Sequence, residues 1–360
     1  MSDAKLSCAR LEAYCAGALT DCGVSPKDAA DTARVLVSAD MRGIHSHGVI
    51  RMIGYVDCLQ SGGVKADAVP RIVSETASSA RIDADRGLGI PATLFAMEIA
   101  RRKAREGGVA VVNVFNSHHH GACGYYSQQL ALDGLMAMTM STGDVIMAAT
   151  GSASRAIGNN PFSYALPAGK YKAVCYDVAM SAVAAGKISI AAEQGERIPF
   201  GWLLDPAGRP TQDPADYDRG GALVPFGGHK GYGLAIMVEA FAGLLSGAAM
   251  LSDIHAWNRD PTASGNVGHQ ILALDPARLN PEVDLAARVE AMIEELAQAR
   301  RAPGVDRILY PGQLEHERER EARERGLTLP DATLSALRGV AERTGRAFEL
   351  RDMTHQEGRT

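Results

Sequence analysis

The stretch RGIHSHGVIRM, residues 42–52, sets His45 and His47 either side of Ser46 and adds Arg51 one helical turn after His47. Histidine exchanges protons near neutral pH, and a guanidinium grips a carboxylate with two parallel hydrogen bonds. Acid–base work on a small carboxylic acid is the chemistry these side chains offer; the alternative is a capped helix with solvated polar residues. Ser46 can cap that helix, orient His47, or do both, and His45 is assigned to the turn between helices. A second cluster, NSHHHGACGYY (116–126), follows a strand pattern and opens a helix. His119 and the amides of Gly121–Gly124 therefore stand where anions and ligands bind. Its run of three histidines raises a metal site, but adjacent residues do not all face one ion, and no metal is expected. In the third, PFGGHKGYG (225–233), glycines let a ligand approach the backbone and Lys230 adds charge. Asp177 is a lone acid in the apolar strand VCYDVAM, either buried with a partner or placed at a strand end facing a site.

Helices must position the first cluster. Ser7 caps a helix with an apolar stripe of Leu11, Cys15, Ala18 and Cys22. Ser25, Pro26 and Asp28 start a second, which turns Val35, Leu36 and Ala39 inward and stops at Gly43. A third is expected from Ser46 to Leu59, with Val49, Met52, Ile53 and Val56 on its core side. At 100° per residue, His47 and Arg51 then lie about 40° apart on the opposite face. From Pro70 the pattern changes to RIVSETASSARIDAD as paired strands, a helix, the strand GGVAVVNVFNS, a helix, and the strand GLMAMTMST. KAVCYDVAMS (172–181) is a further strand, residues 188–214 carry turn signals, and the last third is helical and charged. Strands in the middle and helices at both ends predict a mixed α/β (α+β) fold. A helical domain of 1–75 with 315–360 packs there against a mixed-sheet domain of 76–314.

Composition narrows the class. The 360 residues imply more than one packed unit, and 46% hydrophobic with 22% charged content is that of a soluble globular protein. A net charge of −5 with both signs interspersed argues against nucleic acid. Six cysteines without a C-x-x-C, after a start lacking an apolar leader, read as a reduced cytoplasmic chain. The run 231–251 has Glu239 at its centre and four glycines, so it reads as a buried core helix and not a membrane span. No G-x-G-x-x-G follows an early strand, SAVAAGKIS lacks the residues of a phosphate loop, GIHSHG misplaces its serine for a hydrolase elbow, and H-E-x-x-H is absent.

Taken together, DMRGIHSHGVIRM (40–52), NSHHHGACGYY (116–126), GNNP (158–161), DVAMSAVAAGKI (177–188), PFGGHKGYGLA (225–235) and YPGQ (310–313) resemble the type-2 malate/L-lactate dehydrogenase family. That family includes ureidoglycolate and sulfolactate dehydrogenases, diketogulonate reductases and cyclic-imino-acid reductases. The resemblance implies a non-Rossmann NAD(P)-binding mixed-sheet fold, NAD or NADP as cofactor, and a homodimer with the site near the subunit interface. It implies His47 as proton donor and acceptor with Ser46 and Asp177 as relay partners, Arg51 as anchor of the substrate carboxylate, and His119 as a second active-site histidine. The cofactor then runs along His119, His120 and Gly121, along Asp177, Val178 and Ala179, past His229 and Lys230, and along Pro311, Gly312 and Gln313. Asn159 replaces a usual Thr, His120 a usual aromatic, Gln313 a usual Glu, and Gly143 a polar residue. The implied reaction moves hydride between nicotinamide and a 2-hydroxy or 2-keto acid, malate- or lactate-like. Reduction of a cyclic imino acid such as Δ1-piperideine-2-carboxylate is the alternative. A Ser/His hydrolase is set aside because adjacent residues at a helix start diverge by about 100°, and a non-catalytic binding protein because His47, Arg51, His119 and Lys230 are all retained.

Overall fold

Capping chemistry starts the chain. In the computed structural model, which describes residues 5–349, Ser7 Oγ accepts from the Arg10 amide at the start of α1 (Cys8–Asp21). Ser25 Oγ does the same for Asp28 at the start of α2 (Pro26–Met41), with Pro26 in the first turn. A third helix, α3 (Met52–Ser61), stops at Gly62, whose φ of 82° favours glycine. The chain then forms β1 (Arg71–Glu75), β2 (Ser79–Asp83), α4 (Gly89–Gly107), β3 (Val109–Ser117), α5 (Cys123–Leu132) and β4 (Met136–Ser141). Next come β5 (Val145–Ala148), β6 (Arg155–Gly158), β7 (Phe162–Pro167), β8 (Ala173–Val178), α6 (Ala185–Gln194), β9 (Leu203–Leu204), β10 (Pro210–Thr211) and β11 (Ala222–Leu223). The remainder is α7 (His229–Val238), β12 (Val267–Leu274), α8 (Pro276–Leu279), α9 (Leu285–Ala297), α10 (Gln313–Arg325) and α11 (Asp331–Thr344).

Seven strands form one mixed sheet in the order β1-β2-β3-β12-β4-β7-β8; β2 and β3 run parallel and the other pairs antiparallel. A smaller sheet, β10-β9-β11-β5-β6, has its own core with Met147, Ile157, Ile188, Leu203 and Leu223. The fold is therefore mixed α/β with mixed sheets. Helix α11 packs on α3 and α10 on α2, while Leu6 and Leu327 exchange backbone hydrogen bonds, so the two ends of the chain meet. The outermost residues of the expected helical unit, 1–4 and 350–360, lie outside the described residues.

Three expectations need correction. Helix α3 starts at Met52 instead of Ser46: His45–His47 and Val49–Arg51 are separate 3₁₀ turns around Gly48, whose backbone is extended. The 231–251 run is not buried throughout. After α7 it becomes a π-helical turn over Glu239–Leu244, and Leu234, Ile236, Phe241, Leu244 and Leu245 are exposed. Strand β12, which VGHQILAL does not announce by alternation, is the centre of the large sheet; both its faces are covered, and period-two patterning disappears when neither side meets water.

Candidate active site

The turn that carries His47 is held by a residue the sequence reading did not single out. Asp40, buried near the end of α2, accepts from the Val49 amide at 2.7 Å and pairs with His45 Nδ1 at 2.8 Å. This capture of the Val49 N–H breaks the expected helix into two short turns. Gly48 is required there: a Cβ would sit 2.2 Å from the Asp40 carboxylate. Removing Asp40 leaves two donors without an acceptor, and bonds to a charged group contribute roughly 1.5–3 kcal/mol each. Asp40→Ala is expected to lower the urea midpoint by an amount equivalent to roughly 3 kcal/mol, and kcat/KM by more than the stability loss explains. A variant with parental stability and parental kcat/KM would remove Asp40 from this role.

The broken helix brings Ser46 and His47 together. Ser46 Oγ lies 2.9 Å from His47 Nδ1, so the divergence assumed for a regular helix does not apply. Arg51 Nε donates to the Ser46 carbonyl at 2.6 Å, and its guanidinium lies over the Trp257 ring, 5.6 Å from the centroid. His45 is tied to Asp40, in the turn role assigned to it.

His119 comes from the end of β3 and stacks beside His47, with centroids 5.5 Å apart and planes 27° apart. Its Nδ1 accepts from Tyr55 Oη at 2.6 Å and from the Gly121 amide at 3.3 Å. A neutral ring with Nδ1 accepting carries its proton on Nε2, so His119 presents a donor. Burial first, then the Arg51 charge, pushes the His47 pKa down to about 3, and the same causes hold His119 well below the ordinary range. Both rings are neutral at pH 7.

Behind them is a buried polar shelf. His269 on β12 bonds Ser141 on β4 through Nδ1 at 2.9 Å and Ser117 on β3 through Nε2 at 3.0 Å, linking three strand ends beneath the histidine run. His120 stacks on His269 with centroids 4.2 Å apart, and its Nε2 lies 3.3 Å from Cys123 Sγ. Tyr55 and Trp257, missed from sequence, wall the other side; Tyr55 was findable as one turn beyond Arg51, Trp257 was not.

The expected cofactor segments converge in part. A cavity of about 440 Å³ is bounded by Gly124, Asp177, Pro311 and Gly312, with Val35, Ala39, Tyr176, Leu309, Tyr310 and Leu314 as apolar wall. Gly312 fits against β8 only without a side chain, since a Cβ would meet the Cys175 carbonyl at 2.9 Å. Gln313 begins α10 and bonds Glu317. Asp177 ends β8, and its carboxylate takes the Gly124 amide at 2.7 Å, so that α5 amide is already occupied. Among the described residues no hydrogen bond joins Asp177 to Ser46 or His47. Burial pushes its pKa up to about 6. The Ser181–Pro225 bridge carries the chain from β8 across to the loop before α7, where His229 and Lys230 are exposed and do not line this cavity.

Arg42 tests whether the cavity fits a nicotinamide dinucleotide. It is 5% exposed, its Nε has no hydrogen-bond partner, and its guanidinium makes no ion pair among the described residues. A buried unpaired cation is costly. Beside an apolar wall of this size it is suited to a phosphate group with an aromatic base next to it. The residues fit. Among the described residues no cluster of His, Cys, Asp or Glu suits a metal ion.

The Ser46–His47 contact alone would also suit a hydrolase. The whole chain decides against that: the sequence pattern of the malate/L-lactate dehydrogenases matches residues 6–338. The chain belongs to the malate/L-lactate dehydrogenase family. Like other members it is an NAD(P)-dependent oxidoreductase of hydroxy and keto acids. It is 34% identical over 334 residues to a malate dehydrogenase of Pyrococcus abyssi, covering 91% of each chain. It is 35% identical over 311 residues to a Δ1-pyrroline-2-carboxylate/Δ1-piperideine-2-carboxylate reductase of Pseudomonas putida, covering 85% of this chain and 89% of the relative. The sulfolactate dehydrogenase structure of Methanocaldococcus jannaschii superposes with a TM-score of 0.89 at 30% identity, covering 97% of this chain and 99% of that one. No helix among the described residues of this dehydrogenase is long and apolar enough to cross a membrane.

Proposed function

We propose that this malate/L-lactate dehydrogenase family member moves hydride between NAD or NADP and a small 2-hydroxy or 2-keto acid, with His47 moving the proton and Arg51 holding the carboxylate. The observation that carries the reading is a neutral imidazole pair, His47 and His119, beside the half-buried guanidinium of Arg51. When bound, the nicotinamide ring takes or gives the hydride. With Nδ1–H donating to Ser46 Oγ, His47 keeps the Nε2 lone pair free to take the hydroxyl proton. His119, whose Nδ1 is occupied, donates its Nε2–H to the same oxygen and polarises it. Substrate carboxylate on Arg51 cancels part of the field that suppresses His47, so binding raises the basicity of the ring when it is needed. Asp177 supports the site through Gly124 and not by direct contact with His47.

Reduced-nicotinamide absorbance with NADH or NADPH and a panel of pyruvate, oxaloacetate, a bulkier 2-keto acid and Δ1-piperideine-2-carboxylate tests the reading. Turnover of one or more is expected; silence across the panel with dinucleotide still bound would defeat it. A second reading, reduction of a cyclic imino acid, is favoured by the similarity to the Pseudomonas putida reductase and by Asp144, whose carboxyl lies within the field of Arg51.

Arg42 is assigned to a dinucleotide phosphate. Arg42→Gln is expected to weaken NADH or NADPH at least about tenfold by calorimetry, the loss of a charge-assisted contact. Unchanged affinity for both would send the phosphates elsewhere. Selective loss of NADPH would put the 2′-phosphate at Arg42.

We place the enzyme in the cytoplasm, which six unpaired cysteines support, and assemble it as a homodimer. Leu234, Ile236, Phe241, Leu244 and Leu245, on α7 and the π-helical turn and cap that follow it, are all exposed, more apolar side chains than one helical segment usually leaves to water. Sedimentation equilibrium is expected to give twice the 38.0 kDa chain mass. Replacing Leu244 and Leu245 by Lys is expected to give monomers, and a monomeric parent would refute the assembly.

A further inference from the structure

Strand register brings to the reactive edge one acid that hydride and proton transfer do not use. In the large sheet Val267 on β12 sits opposite Ser117 on β3, and His269 on β12 opposite Ser141 on β4. The three strand ends lie side by side. His119 follows Ser117 by two residues and Asp144 follows Ser141 by three, so the two leave the sheet two strands apart, about 10 Å. The backbone at the root of Asp144 is fixed. The Thr142 amide donates to the Gly268 carbonyl at 3.0 Å, and the Gly143 amide to Asn160 Oδ1 at 3.2 Å. Asn160 is itself locked by Glu239 and the Ala235 carbonyl.

Asp144 is half-buried, and among the described residues its side chain has neither a hydrogen bond to another residue nor an ion pair within 4.0 Å. The cations whose fields reach it are Arg259 and Arg51, and Arg51 feels Asp144 in return. Arg51 cannot close on it freely, because its Nε is committed to the Ser46 carbonyl and its plane rests over Trp257. Burial pushes the Asp144 pKa up to about 6, which leaves the carboxylate largely ionised above pH 7. Arg51 and Asp144 are thus held on fixed backbone across a gap wider than an ion pair, with Arg259 also in the carboxylate's field and also outside ion-pair distance. Such a frame accepts a ligand with the opposite arrangement of charge.

We propose that Asp144 selects the substrate: a small acid whose one carboxylate goes to Arg51 and whose nitrogen, cationic or hydrogen-bond donating, goes to Asp144. A second anionic group on the ligand is disfavoured. The substrate class is then a cyclic imino acid with its amino-acid product, in preference to a malate-like dicarboxylate. This rests on the oxidoreductase reading for Arg51 as the carboxylate anchor. Like charges brought together in a partly dry site cost enough to change affinity about 10–100-fold.

Calorimetry on the full-length enzyme tests it with three ligands: L-pipecolate, a carboxylate with a cationic nitrogen; malate, with two carboxylates; and pyruvate, with one carboxylate and no nitrogen. The parent is expected to bind pipecolate at least about tenfold more tightly than malate. Asp144→Asn is expected to shrink that ratio at least about tenfold, with pyruvate shifted less than either. Malate bound as tightly as pipecolate, no measurable pipecolate binding, an unchanged ratio in Asp144→Asn, or loss of all three ligands together would each overturn the proposal. Turnover is read separately with Δ1-piperideine-2-carboxylate and oxaloacetate. If neither is reduced while the binding ratio behaves as expected, the hydride-transfer reading falls and the selectivity of Asp144 stands.

Discussion

His47→Gln is expected to lower kcat about 10²–10⁴-fold, the range for loss of a well-placed acid–base group, while dinucleotide affinity holds within about twofold. The two rings are wired unequally. Tyr55 and Gly121 both occupy His119 Nδ1, which fixes its proton on Nε2 and makes it a donor. Among the described residues His47 has a single hydrogen-bond partner for its ring, the Ser46 hydroxyl, and can keep Nε2 free. Stopped-flow absorbance with a solvent isotope comparison separates the roles. In the parent, proton transfer to His47 gives a solvent isotope effect that His47→Gln abolishes. His119→Gln is expected to slow turnover while retaining it, because the oxygen is then less polarised but the base remains. A His47→Gln enzyme within tenfold of the parent, with its isotope effect intact, would hand the proton to His119.

The second large effect is on stability at mildly acidic pH. His47, His118, His119, His120 and His269 are held below the ordinary histidine range, His118 to about 4 and His47 and His269 to about 3, chiefly by burial. A depressed histidine pKa means that the unfolded chain takes up the proton first. Stability therefore falls as pH drops through the unfolded value near 6.5 and keeps falling until the folded value is reached. Asp144 and Asp177, each raised to about 6, act in the opposite direction, since there the folded state binds the proton first. Near pH 5.5, these five histidines against these two mostly protonated carboxyls leave a net uptake of about three protons on unfolding; His316, also lowered by burial, adds to it, and Asp40 and Glu12, raised by burial, offset it. At about 1.4 kcal/mol per proton per pH unit, the slope is roughly 4 kcal/mol per unit. Set against a total stability of about 5–15 kcal/mol, that unfolds the enzyme within a few pH units below neutrality. Urea unfolding from pH 5 to 7 measures the slope; a value below one proton would mean that these rings are hydrated or charged in the folded state.

The sequence by itself determined much of this. Six ordered motifs pointed to the family, and residue types alone pointed to proton exchange at His47 and a carboxylate at Arg51. Caps at Ser7 and Ser25 are local chemistry, and they appear where the residues place them. The mixed α/β fold followed from strands flanked by helices. What the sequence could not supply depends on distant partners. The Ser46–His47 pair exists because Asp40 takes the Val49 amide and stops a helix that local propensity would have continued. The wiring of His119 depends on Tyr55, 64 residues away, and the wall on Trp257, farther still. Strand β12 was invisible because a strand covered on both faces loses its alternation. The lack of an ion-pair partner for Arg42 among the described residues and the separation of Asp144 from Arg51 are tertiary facts as well. A side chain's charge is written in the chain, but its distance from compensation is set only when the sheet closes and water leaves.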